Sequence, residues 1–299
     1  MTSRTGLPLR ALLFVPGDSE RKITKGLDTN ADILILDLED AVAPAMKDSA
    51  RSIVSGLLSA SRRKPLVARV NAFDTTWHLS DVASIVPLAP DAIMLPKCES
   101  VADVIRLDAQ IATLEASAGL RPGIIQIIPL VTETAASLLS MDYRGASERL
   151  AGLAFAGEDL AADLGVSPRD EMGLNPLLVD ARRRVAIAAA AAQVPAIDTP
   201  FPDPRDAAGL SRETSEAARL GFAGKMCIHP GQIDAVRSAL CPPENQIVWS
   251  RAVVAHFASA SDNGVTLLDG KMIDRAHLRL AERCLSRCTA AELAATHAG

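Results

Sequence analysis

The sequence predicts an α/β protein folded as a (β/α)8 barrel with a C-terminal helical arm, and three observations carry that expectation. Short apolar, β-branched runs occur eight times, they recur at the spacing of one strand–helix unit, and polar residues collect at one end of each run. The runs are ALLFV (11–15), ILILDL (33–38), LVARV (66–70), AIML (92–95), IIQIIPLV (124–131), LAGLAFA (150–156), VPAID (194–198) and FAGKMCI (222–228). The first begins at 11 and the eighth at 222, giving seven intervals of about 30 residues, the length of a βα unit. Most are almost continuously apolar instead of alternating, as strands buried on both faces of a parallel sheet must be. Helix-like stretches such as ESVADVIRLDAQIATLEAS and LLVDARRRVAIAAAAAQ fill the gaps. A doubly wound open sheet is the competing topology for the same pattern. The barrel is expected over residues 1–242 and the arm over 243–299.

Taken in order, the runs deliver Pro16-Gly17-Asp18, then Asp37, Glu39 and Asp40, then Arg69 and Asn71, then Pro96-Lys97, Thr132-Glu133, Gly157-Glu158-Asp159, Asp198 and His229-Pro230. In a barrel these ends meet on one face, where barrel enzymes hold their active sites. Asp18, Ser100 and Thr134 suit helix N-caps. Capping does not explain why Arg69, Glu133 and Asp159 should converge. Glu133 and Asp159 lie on adjacent strands and could share a hard cation such as Mg2+, which takes one or two carboxylates and keeps several waters. Arg69 offers a planar fork matched to a carboxylate. Each residue also has a plainer use. Arg69 could bridge Asp37 or Glu39, Glu133 could cap a helix, Glu158 could face the ion in place of Asp159, and His229 could brace its loop.

Composition narrows the classes. Hydrophobic residues make up 48% and charged residues 22%, with a net charge of −5, so the chain is globular. It has no basic block of the kind that binds nucleic acid. No apolar stretch nears the ~20 residues that cross a bilayer, and the N-terminal apolar run is too short for a signal-peptide core. A cytoplasmic protein is expected. The cysteines at 98, 227, 241, 284 and 288 form an odd, scattered set that suits a reducing compartment. Cys284 and Cys288 could share a helix face, but neither CxxC nor HExxH completes a zinc site. No GxxxxGK[ST] loop implies ATP.

The runs LFVPGD, ILDLEDAV, VARVNAFDT, IMLPKCES, LVTETAA, FAGEDLAADLG and KMCIHPGQ resemble, in order and spacing, the HpcH/HpaI aldolase and citrate lyase β-subunit family. The likeness spans roughly residues 10 to 280. It implies a barrel, Mg2+ held by Glu133 and Asp159, a substrate carboxylate on Arg69, and Glu39 and Asp40 set to hold waters bound to the metal. It further implies that Phe14, Arg21, Lys25 and the Ile228-His229 loop contact a carboxylated acyl-CoA; Lys22 and Lys47 are expected to be solvated helix residues. The GKMID run resembles the arm of the malyl-CoA, citramalyl-CoA and β-methylmalyl-CoA branch. There the aspartate, Asp274 here, enters a neighbouring subunit's site as acid/base in a homotrimer or homohexamer. Asp274 is equally placed to N-cap the last helix. The implied activity is Mg2+-dependent retro-Claisen cleavage of a malyl-, citramalyl- or citryl-CoA type substrate, with thioester hydrolysis or a non-catalytic subunit of a carrier-dependent lyase as rivals.

Overall fold

The structure, a computed structural model, describes residues 6–60, 63–259, 265–289 and 293. They divide into two compact units, Leu7–Leu240 and, separately, Gly6 with the residues from Cys241 onward.

In the larger unit the chain runs β1 (Ala11–Pro16), α1 (Glu20–Leu27), β2 (Ile33–Asp37), α2 (Lys47–Leu58), β3 (Leu66–Arg69), α3 (His78–Ile85), β4 (Ala92–Leu95), α4 (Val101–Ser117), β5 (Gln126–Pro129), β6 (Leu153–Ala154) and α5 (Gly157–Leu164). A two-strand hairpin follows, β7 (Arg169–Asp170) and β8 (Gly173–Leu174), then α6 (Pro176–Ala192), β9 (Ala196–Asp198), α7 (Ala207–Arg219), β10 (Gly224–Cys227) and α8 (Ile233–Leu240). Eight strands pair in the order β5-β4-β3-β2-β1-β10-β9-β6, and every ladder is parallel. The two edge strands meet through isolated bridges, Ile127 to Leu150 and Leu130 to Ala154, so the sheet closes as a barrel and not as an open doubly wound sheet. That seam rests on a few bonds, among them Ala151 N–H to Ile127 O at 2.9 Å and Val131 N–H to Ala154 O at 2.9 Å.

Seven of the eight strands lie within the expected runs and β1 passes its run by one residue, to Pro16; their parity separates two cores. Leu12, Ile33, Ile35, Val67, Met94, Ile128, Ile197 and Met226 fill the barrel interior. The alternate residues, Leu13, Leu34, Leu36, Leu66, Ile93 and Leu153, face the helix layer. A two-residue period with both faces buried explains why these runs read as continuous apolar sequence. Ser100 occupies the N-cap position of α4 as expected, and its own N–H donates to Asp103 Oδ2 at 3.0 Å, the return half of a capping box. Thr134 accepts from Ser137 N–H at 3.3 Å. Asp18 does not cap α1, whose N-cap position is Ser19.

The C-terminal unit contains α9 (Glu244–Ser259), a hairpin of β11 (Val265–Leu268) and β12 (Lys271–Asp274), and α10 (Arg275–Ser286). The hairpin was not anticipated, although its turn is an Asp-Gly pair. Asp269 at φ +50° and Gly270 at φ +74° give the two left-handed residues that a tight antiparallel turn requires. Val253, Phe257, Ile273 and Ala281 form the core of this unit. No described helix is long and apolar enough to cross a membrane.

Candidate active site

The site is assembled from the C-terminal ends of β1 to β6. On β2, Ile33 and Ile35 point inward, and the same parity carries Asp37 into the top of the barrel; on β3, Val67 does the same for Arg69. Asp37 accepts the N–H groups of Glu39 at 2.9 Å and Ala41 at 3.1 Å, which curls the chain over and presents Glu39 and Asp40. β1 leaves by Gly17, whose N–H donates to Asp37 O at 2.8 Å. A Cβ on Gly17 would lie 2.7 Å from that oxygen, so only glycine allows the approach. Lys47 is buried, not solvated as expected. Its ammonium donates to Leu38 O, Glu39 O and Asn71 Oδ1, each at 2.7 Å. Asn71 in turn donates to Asp81 Oδ2 at 2.6 Å. The backbone bearing Glu39 is thus fixed from below.

Arg69 grips Asp37 with both arms of its fork, Nε to Oδ1 at 2.7 Å and Nη2 to Oδ2 at 2.6 Å. Its Nη1 lies 3.0 Å from Glu39 Oε2 and 3.9 Å from Asp40 Oδ2, and its guanidinium stacks 4.8 Å from the centre of the Phe14 ring. The bridge to Asp37 and Glu39 is therefore present, and a substrate carboxylate could reach only the Nη1 side. Lys97 follows β4 with φ +50°, outside the usual range for a non-glycine residue. Its N–H donates to Glu133 Oε2, and its Nζ stands 3.5 Å from Glu39 Oε1. Glu133 is thereby tied across to β4 and does not cap a helix.

Glu39, Asp40 and Glu133 place carboxylate oxygens within 4.8 Å of one another, the one such acidic group among the described residues. Burial raises Glu39 to about 7, opposed by Arg69 and reinforced by Asp40. Burial raises Glu133 to about 8, opposed by the Lys97 N–H and reinforced by Glu39 and Asp159. Among the described residues, Glu133 Oε1 is buried with no hydrogen-bond partner, and Glu39 Oε2 has only the nearby Arg69 charge, without an aligned bond. Five carboxylates (Asp37, Glu39, Asp40, Glu133, Asp159) face three cations (Lys47, Arg69, Lys97), a formal excess of two negative charges. Oxygen donors only, two of them orphaned, and an excess of −2 fit a hard divalent cation. Asp159 stands on the rim, on the first turn of α5, outside the 4.8 Å group. Its carboxyl is raised by partial burial in the mouth and then by the charge of Asp40. Glu158 is paired with Arg169 instead.

Asp198 was expected at this mouth and is not there. Ile197 is the inward residue of β9, so Asp198 faces the helix layer, where it is fully buried between Lys225 Nζ at 2.6 Å and Arg182 Nη2 at 2.6 Å. Arg21 and Lys25 are exposed on α1, as is Lys22. Ile228 and His229 are exposed after β10; His229 Nδ1 accepts from Gly231 N–H at 3.0 Å, and Gln232 Oε1 accepts from Ile228 N–H at 2.9 Å, so this loop is braced from within. In the C-terminal unit Asp274 caps α10, accepting from Ala276 N–H at 2.8 Å and pairing with His277 Nδ1 at 2.7 Å. The His277 bonds hold its carboxyl below the usual range. Sequence reasoning offered Asp37 only as an alternative partner for Arg69, gave no role to Lys97, although both sit at strand ends, and misjudged Lys47.

The HpcH/HpaI aldolase/citrate lyase family model matches residues 10–230. Citrate lyase subunit beta of Escherichia coli (strain K12) is 32% identical over 93% of this chain and 92% of its own length. A (3S)-malyl-CoA thioesterase of Cereibacter sphaeroides is 31% identical over 95% of each protein. CitE of Mycobacterium tuberculosis, solved with magnesium, acetoacetate and coenzyme A, superposes with a TM-score of 0.72 and 31% identity, covering 94% of this chain and 98% of that one. A match over most of the barrel, full-length relatives above 30% identity and a shared barrel agree, and the chain belongs to the HpcH/HpaI aldolase/citrate lyase family.

Proposed function

We propose that this protein is a Mg2+-dependent lyase that cleaves a carboxylated 3-hydroxyacyl-CoA of the malyl-, citramalyl- or citryl-CoA type to a 2-oxo acid and an acyl-CoA. One observation carries the reading: buried, under-bonded carboxylates gathered where the strands of a closed barrel end. Glu133 and Asp159 would hold the ion, with Glu39 and Asp40 at its waters, and the CitE complex with magnesium supports that choice of metal. Bound there, the cation supplies Lewis acidity toward the substrate's carboxylate and hydroxyl oxygens. Asp37 orients Arg69, whose Nη1 side is open to a carboxylate. Phe14 covers the other side of that guanidinium, which keeps water from it. In a retro-Claisen step the hydroxyl proton leaves, the carbon–carbon bond breaks toward the thioester, and the resulting enolate takes up a proton.

Asp274 is the proposed donor of that proton, acting from the arm of a neighbouring copy in a homotrimer or homohexamer. Arg21, Lys25 and the Ile228-His229 loop are the proposed CoA contacts. As the α10 cap Asp274 is held ionised, so the acid role requires it to exchange that cap for the substrate. Complementation tests the sharing. Inactive Asp274→Asn and Glu133→Ala chains, mixed and allowed to exchange subunits, should regain activity; verified exchange without recovery would leave Asp274 as a cap.

The thioesterase relative favours a second reading, hydrolysis of the same ester without carbon–carbon cleavage. Incubating malyl-, citramalyl- and citryl-CoA with the purified chain and Mg2+, and measuring both 2-oxo acid and free hydroxy acid, separates the two. Absence of both products would sink both readings and favour a carrier-dependent subunit.

A further inference from the structure

The mouth contains three cations, and the structure shows how far each is already committed. Lys47 spends all three ammonium donors on Leu38 O, Glu39 O and Asn71 Oδ1. Arg69 has closed its fork on Asp37. Among the described residues, Lys97 has one carboxylate in ion-pair contact, Glu39 Oε1 at 3.5 Å, and about half of its side chain is open to solvent. An ammonium carries three donors, so at least two remain for an incoming acceptor.

The backbone adds a second observation. At φ +50° a lysine costs roughly 1–2 kcal/mol that glycine would not. The N–H bond to Glu133 needs no side chain, and a glycine could make it without strain. A strained residue at a site wall, with its side chain pointed at the centre, is explained by a demand for that side chain. Coulomb's law excludes one such demand: a positive charge beside Glu39 opposes cation binding at the same acids, so the ammonium is not there to recruit the metal.

We infer that the Lys97 ammonium is a specificity-determining anion contact, the group that receives a carboxylate of the substrate which the Asp37-bound Arg69 cannot clasp with its fork. This rests on the lyase reading for the identity of the substrate, but its test does not need turnover. The probe is oxaloacetate, the 2-oxo acid that a citryl-type substrate would release, titrated calorimetrically into Mg2+-loaded protein, with Mg2+ binding measured separately. Lys97→Gly removes the ammonium, keeps the N–H that holds Glu133, and relaxes the backbone, so folding is not at risk. It should weaken oxaloacetate roughly tenfold or more, the scale of a charge-assisted bond, and leave Mg2+ as tight or tighter. Lys97→Arg should restore most of the oxaloacetate affinity. Unchanged oxaloacetate binding, an equal loss of Mg2+ affinity, or a wild-type protein that does not bind oxaloacetate would each overturn the inference. If Lys97-dependent binding is found but no carboxylated acyl-CoA is cleaved, the lyase reading fails and the anion contact stands.

Discussion

Two buried charge clusters lie on opposite faces of the same barrel wall and respond to burial in opposite ways. In the helix layer, Asp198 and Glu213 meet Lys225 at 2.6 and 2.9 Å, and Arg182 and Arg169 complete the set. Burial pushes both acids up, but Lys225, followed by the arginines, more than reverses it, and both carboxyls end below their usual range. At the mouth, burial wins: Glu39 stands near 7 and Glu133 near 8. Similar residues, similarly buried, are saturated in one place and left wanting in the other. The saturated cluster holds helices to the sheet; the unsaturated one leaves Glu39 Oε2 and Glu133 Oε1 without a hydrogen-bond partner among the described residues.

The largest expected effect breaks the unsaturated side. Glu133→Ala or Asp159→Ala should abolish turnover on whichever acyl-CoA is accepted, with the unfolding midpoint in urea unchanged or higher. Glu158→Ala should cost less, since Glu158 serves Arg169. Activity near wild type in either of the first two would end the metal assignment. The helix-layer cluster should behave inversely. Asp198→Ala leaves Lys225 and Arg182 buried without their acid and should cost about 3–5 kcal/mol of stability. A loss below about 1 kcal/mol would mean that the network relaxes freely and that the contrast is overstated.

Arg69→Lys keeps the charge and loses the two-point grip on Asp37, so substrate binding should weaken by ~1–3 kcal/mol, read in KM more than kcat. An unchanged KM would reduce Arg69 to a brace for Asp37 and Glu39. The smallest effect is a difference in pH response. Glu133 has a folded pKa of about 8 against an ordinary 4.5, so its stabilising contribution is complete below 4.5 and is lost as pH rises through 8. Asp198 and Glu213 are shifted down, so theirs is present above the usual carboxyl range and lost as pH falls. Metal binding must displace the Glu133 proton below pH 8, so Mg2+ affinity should rise with pH by up to ~10-fold per unit and level off above it. Mg2+ should also raise the melting temperature more at pH 8 than at pH 6. An affinity flat from pH 6 to 8 would show that Glu133 is already ionised.

Where sequence reasoning reached the structure, it used periodicity. Eight apolar runs became eight strands because a doubly buried parallel strand has to be apolar throughout, and their exits led to Glu39, Asp40, Arg69, Glu133 and Asp159. Its failures were failures of parity and of partner. Asp198 ends a strand like Asp37 does, yet it is one residue out of phase with the interior positions and faces the helices. Counting from Ile197 would have revealed this. Lys47 carries no signal in a single chain, since a lysine that opens a helix reads as solvated until the fold brings two carbonyls beneath it. The commitment of Arg69 to Asp37 was open as an alternative and needed coordinates to be seen.

The seam of the barrel has a bearing on more than topology. β6 is two residues long and meets β5 only through isolated bridges, whereas the other neighbouring strands share continuous ladders. Glu133 follows β5, and Asp159 follows β6. An ion bound by both would fasten the barrel across its weakest join, so that closing the wall and charging the catalyst become one event. Native-state hydrogen exchange would register it: the amides of Val131 and Ala151, which bridge the join, should slow on adding Mg2+ while those between β2 and β3 hold their rate.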